Sequence, residues 1–134
     1  MADNKYKRVR LDIESVFSSA AWKAESIPAY PANYEGDSKS KTFVKLEILP
    51  SGQVEFYGNF DGVSGQVIIQ IYVPAGMGMI ALMDNADTLD TYFKSKTFAN
   101  GTSTDSSTLN IIGKDSANPA LFRGDYTVNF TLFN

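Results

Sequence analysis

Gly65-Gln-Val-Ile-Ile-Gln-Ile-Tyr-Val-Pro-Ala-Gly-Met-Gly78 decides the fold. Within it Val67, Ile69, Ile71 and Val73 share one face of an extended chain, and Ile68, Gln70 and Tyr72 share the other. Both faces are largely apolar, so the strand, Val63 to Val73, is expected at the centre of a sheet. Pro74 ends it, having no N–H to give to a ladder. A glycine-bearing connection follows, then a helix to about Lys96 with the stripe Met79, Leu82, Met83, Ala86, Leu89 and Phe93. Asp84, Asp87 and Asp90 are expected largely on its solvent side, and Lys94 and Lys96 suit the negative pole at its end. A helix directly after a central strand packs back across the sheet.

Working upstream, Thr42 to Leu49 alternates Val44, Leu46 and Ile48 with Lys45 and Glu47, a half-buried strand ended by Pro50-Ser-Gly52. Gln53 to Phe60 reads as a further strand with Val54 and Phe56 on one face and a bulge or bend at Gly58, before a turn over Asn59 to Gly62. Near the start, Tyr6, Val9, Ile13, Val16, Phe17 and Ala20 recur at spacings of three and four, predicting an amphipathic helix from about Asp3 to Ala21. Leu11 falls off the stripe, and Asp3 or Asn4 would cap the first turn. Trp22 either closes the helix end against the core or anchors an interface. Pro28 and Pro31 make Ile27 to Lys41 an extended segment followed by a polar loop. Downstream, Thr97 to Ser107 is rich in Ser, Thr, Asn and Gly and reads as one long loop; Thr108 to Gly113 is a short strand with Leu109 and Ile111. Lys114 to Arg123 is a turn region, and Asp125 to Phe133 a closing strand in which Tyr126, Val128, Phe130 and Leu132 alternate with polar residues. The order predicts an α+β fold: one domain over residues 1–134, a mainly antiparallel twisted sheet, and two amphipathic helices packed on one face. The other face carries Thr, Gln, Asn and Tyr, a surface to be wetted or covered by a neighbour.

Composition excludes most chemistry. The 134 residues hold no Cys and no His. There is thus no thiol nucleophile, imidazole base or ordinary zinc site. The stretch Gly62 to Met83 is uncharged but broken by Pro74 and several glycines, so it does not read as a membrane span, and the first residues lack an apolar signal core. Net charge is −3, although Met1 to Arg10 carries four basic residues against one Asp. An acidic body argues against sequence-reading DNA binding. The loop before the second helix lacks the Gly-Lys-Ser/Thr of a phosphate cradle, since Met79 and Ile80 follow Gly78. Asp61, Asp105, Asp115 and Asp125 lie in or beside expected turns with nothing to pair them for glycosidase work. Asp84, Asp87 and Asp90 lack the glycine and closing glutamate of a calcium loop. No catalytic, cofactor-binding or metal-ligating residue is expected, and the chain reads as a non-enzyme.

Several segments together resemble a known family. They are the N-terminal helix, Pro28-Ala-Tyr30 to Tyr34-Glu-Gly36, Phe43-Val-Lys-Leu-Glu-Ile-Leu-Pro50, Gly65 through Gly76, the Ala/Leu/Asp helix ending near Phe93, and Arg123-Gly-Asp-Tyr-Thr-Val-Asn-Phe130. In this order they resemble the lambda-like tail terminators of long, non-contractile-tailed bacteriophages, over nearly the whole chain. The resemblance implies a structural virion protein, assembled in the host cytoplasm. It would form a ring with copies of itself, usually six, that caps the tail tube protein and then meets the connector or completion protein of the head. DNA would pass through the lumen without specific binding, and no cofactor or membrane is implied. Tyr30, Tyr34, Phe56, Tyr57 and Phe60 are the candidate subunit-interface residues, because aromatics on loops and edges are common interface anchors. The Ala99 to Ser107 loop is a further candidate contact. Alternative readings are another phage head–tail joining or minor tail protein, and a small-molecule or sugar-binding sheet module using Trp22, Tyr57 and Tyr72.

Overall fold

The computed structural model of the chain describes residues 5–31, 42–55, 61–115 and 120–133. The elements are α1 (Lys5–Phe17), α2 (Ala20–Ala24), β1 (Ala29–Pro31), β2 (Phe43–Glu55), β3 (Asp61–Pro74), α3 (Gly78–Phe93), β4 (Thr102–Lys114) and β5 (Leu121–Phe133). Five strands form one sheet in the order β1-β2-β3-β5-β4. The pairings are antiparallel except for β1, which lies parallel to β2. This is the α+β arrangement expected, with α1 and α3 on the same side of a mainly antiparallel sheet.

β3 is the middle strand, and Val67, Ile69, Ile71 and Val73 on it are fully buried. Removing side chains of this size from water contributes about 1.5–3 kcal/mol each, which is why this strand organises the rest. They meet Val9, Ile13 and Val16 of α1, Leu82, Leu89 and Phe93 of α3, and Tyr126, Val128, Phe130 and Leu132 of β5 in one core. Gly124 lets α3 approach the sheet closely, since a Cβ there would sit 3.2 Å from Leu82 and 3.3 Å from Leu109.

The structure corrects several readings. The first helix is not continuous to Ala21. The hydroxyls of Ser15 and Ser19 donate to Asp12 and Val16 carbonyls at 2.6 Å, competing with helix propagation. Ser19 becomes the N-cap of α2, accepting from Trp22 N–H at 3.2 Å. The break leaves Ala20 exposed and turns Trp22 into the core, edge-on to Phe17 at 5.0 Å and to Tyr92 at 5.5 Å. Tyr6, Met79 and Met83, assigned to the buried stripes, are exposed. Asp90 is not a solvent-side residue.

Pro50 does not end its strand. β2 runs on to Glu55 with a register shift between Pro50 and Gly52. β1 pairs with Val44 to Leu46, so the far side of β2 at Pro50 lies beyond that ladder and needs no N–H there. Gly65 faces Pro50 at the bulge, where any Cβ would collide with the Leu49 carbonyl oxygen. The reading of Thr97 to Ser107 as one long loop is also corrected. Phe98 N–H donates to the Thr102 carbonyl at 2.8 Å and Gly101 N–H to the Phe98 carbonyl at 3.0 Å, closing a tight turn, and β4 then runs thirteen residues to Lys114. Polar composition suits an edge strand, and two register shifts mark it, between Thr104 and Ser107 and between Ile111 and Gly113. The strand expected at Gln53 to Phe60 is partly the end of β2; Phe56, Tyr57, Gly58 and Phe60, like Tyr34 and most of the 27–41 loop, lie outside the described residues.

Candidate interaction surfaces

Of the five candidate interface residues, Tyr30 is the one among the described residues. β1 holds it half-buried, edge-on to Phe43 at 5.9 Å. Phe43 stacks flat on Tyr72, with centroids 4.8 Å apart and planes 7° from parallel, and Leu121 completes this small cluster on the open side of the sheet. Lys45 Nζ lies 5.3 Å from the Tyr72 ring and Arg123 6.0 Å from it. Arg123 is held by two bonds to Asp125, at 3.0 and 3.2 Å, which raise its pKa. Burial raises that of Tyr72, against the Arg123 charge, and its hydroxyl donates to Gln70 at 3.0 Å. Tyr30 is thus part of a rigid aromatic group, not a lone protruding anchor. Trp22 lies in the core and Tyr72 is stacked and buried, so neither offers the free ring face a sugar-binding module would require.

Beyond this cluster the face turned away from the helices is mostly polar among the described residues. Across β2, β3, β5 and β4 the register gives rows of Lys45, Gln70, Asp125 and Asn110, and of Glu47, Ile68, Thr127 and Thr108. Leu49 and Ile112 are its exposed apolar side chains among the described residues.

The polar groups on the helix side are structural. Tyr126 O–H and Ser107 Oγ–H both donate to Asp90 Oδ1 at 2.6 Å, pinning α3 to β4 and β5. Burial and then this bond hold the Tyr126 pKa well above the ordinary phenol. Asp12, buried on α1, accepts from the N–H groups of Asn100 and Thr102 at 2.9 and 3.1 Å, and Arg8 donates to the Asn100 carbonyl at 2.7 Å. The expected contact loop is therefore tied to α1 at its beginning. Asp12 could have been suspected from its position one residue before Ile13, inside the apolar stripe.

A groove of about 420 Å³ between α1 and the β1–β2 edge is lined by Arg10, Glu14, Phe17, Ala29, Tyr30, Leu46 and Ile48. Among the described residues lining it, Arg10 and Glu14 pair with each other at 3.2 Å along the exposed side of α1. No group of three metal-ligating side chains occurs among the described residues. No described helix is long and apolar enough to cross a membrane.

No family model matches the chain, and no curated protein matches it. It is similar to a solved structure of a protein that carries no functional name, over 97% of this chain and 96% of that one, with 11% identity and a TM-score of 0.66. That likeness shows the fold alone.

Proposed function

We propose that this chain is a structural, non-enzymatic virion protein: a terminator of a long phage tail. On this reading copies of the chain close into a ring, six in number, that caps the tube, stops its growth and offers the head connector its landing face. The observation that carries the reading is the sheet face turned away from the helices: mostly polar beyond the Tyr30, Phe43 and Tyr72 cluster, and built from four strands of thirteen or fourteen residues. Such a face suits a wall surface that meets repeated neighbours better than a cleft for a small molecule. The segments that carry the family resemblance supply β1, β2, β3, α3 and β5 of this one sheet and its covering helix.

A ring of unlike contacts uses two different patches per subunit and leaves none unused around its circumference. If one rim fits the growing tube and the other does not imitate it, addition of tube protein stops. The acidic balance, −3 overall, suits a lumen through which DNA slides, since like charge disfavours phosphate contacts. Deleting the gene from its phage is expected to give tails of abnormal length that fail to join heads. Tails of normal length attached to heads would overturn the reading.

A further inference from the structure

The outer faces of α1 and α3 carry the same geometric pattern with opposite charge. On α1 the exposed residues Tyr6, Lys7, Arg10, Leu11 and Glu14 lie together, with Ser15 also exposed. On α3 Met79, Ile80, Met83, Asp84 and Asp87 repeat that spacing, which gathers each set on one helical face. α1 holds four basic residues and two acidic ones, one of them the buried Asp12; α3 holds three Asp and no basic residue. The α3 patch is unusually apolar for a surface: Met77, Met79, Ile80 and Met83 are 58%, 51%, 74% and 47% exposed. Adaptable thioethers edged by acid are suited to an apolar surface edged by base.

α1 is bonded near one end of the sheet, and α3 begins near the other. Arg8 and Asp12 of α1 bond residues Asn100 and Thr102, where Thr102 pairs with Leu132 and Leu132 with Val63. α3 starts at the other end, just past Pro74, which pairs with Leu121. Two unlike, complementary patches make a head-to-tail contact, which leaves one of each unused until a ring closes.

We propose that the exposed face of α3 in one copy seats on the exposed face of α1 in the next. The inference rests on the ring reading and names the surfaces that build it. Arg10, about half exposed and paired across the helix surface with Glu14, is placed to exchange that partner for an incoming Asp84 or Asp87.

Because the chain has no cysteine, Leu11→Cys and Met83→Cys are clean reporters. Under mild oxidation, a mixture of the two single variants is expected to cross-link as a heterodimer, and neither variant alone as a homodimer. In a second arm, Lys7→Glu with Arg10→Glu, or Asp84→Lys with Asp87→Lys, raises the concentration needed for assembly by about tenfold or more, because like charges then face each other. Mixing the two reversed proteins restores assembly, read by sedimentation velocity on samples whose melting shows them folded. Homodimeric cross-links, or capture of tube protein in place of the second copy, would overturn the contact. Rings that form unchanged in both reversed variants would overturn it while leaving the ring reading standing. An unsubstituted chain that never self-associates would end both.

Discussion

At the residue scale, two hydrogen-bonded acids hold the helices to the sheet. Asp90 takes protons' worth of bonding from both Tyr126 and Ser107, so Tyr126→Phe should lower stability by roughly 1–3 kcal/mol in a denaturant titration. The same residue sets an alkaline limit. Its folded pKa lies above the ordinary 10.0, so the neutral phenol is favoured on folding. That stabilisation is complete below pH about 10 and is lost as pH rises above it, because the unfolded chain ionises first. Melting temperature should therefore fall above pH 10, less steeply in Tyr126→Phe, while Tyr72 retains a share of the effect. Gly65→Ala is expected to cost about 2 kcal/mol or more, since its methyl would occupy the place of the Leu49 carbonyl oxygen. Gly76→Ala, with open space around it, is the control and should be near neutral. None of these three residues announces its role in the sequence: Asp90 sits among aspartates at helical spacing, and its partners come from strands seventeen and thirty-six positions away.

At the scale of elements, legibility followed burial. β3 was plain because both of its faces are apolar, and β5 because Tyr126, Val128, Phe130 and Leu132 alternate without interruption. The second half of β4 was legible from Leu109 and Ile111, but Thr102 to Ser107 was hidden because an edge strand is held by its ladder to β5, and its Ser, Thr and Asp residues have the composition of a loop. Its start depends on Asp12 of α1, which satisfies two backbone N–H groups of the preceding turn. Asp12→Ala should expose those groups, cost roughly 1–3 kcal/mol and speed amide exchange over residues 98–104 before it affects β3. The break between α1 and α2 was equally hard to foresee, since the apolar spacing continues through it and only hydroxyl bonding stops the helix. Ser19→Ala removes the α2 cap and should cost about 1 kcal/mol by the same titration. The exposure of Met79 and Met83 could not be read either: periodicity identifies which residues share a face, not which edge of that face the core covers.

At the scale of the whole molecule, the chain has two sides of different kind. One is closed by helices around the core; the other is an open sheet whose only described ring cluster, Tyr30, Phe43 and Tyr72, is packed against itself. Of the anchors expected from sequence, Tyr30 belongs to that cluster and the other four lie outside the described residues, so the apolar surface that stands out instead is on α3. It was obscured in the sequence because methionines at helical spacing look like core. On the ring reading proposed above, that surface and its charge complement on α1 join repeated copies around an opening. Native mass spectrometry of the unsubstituted chain across a concentration series tests this most directly. The account predicts a single closed multiple, six copies, growing at the expense of the monomer; a monomer at every concentration, or an open ladder of sizes with no preferred end, would contradict it.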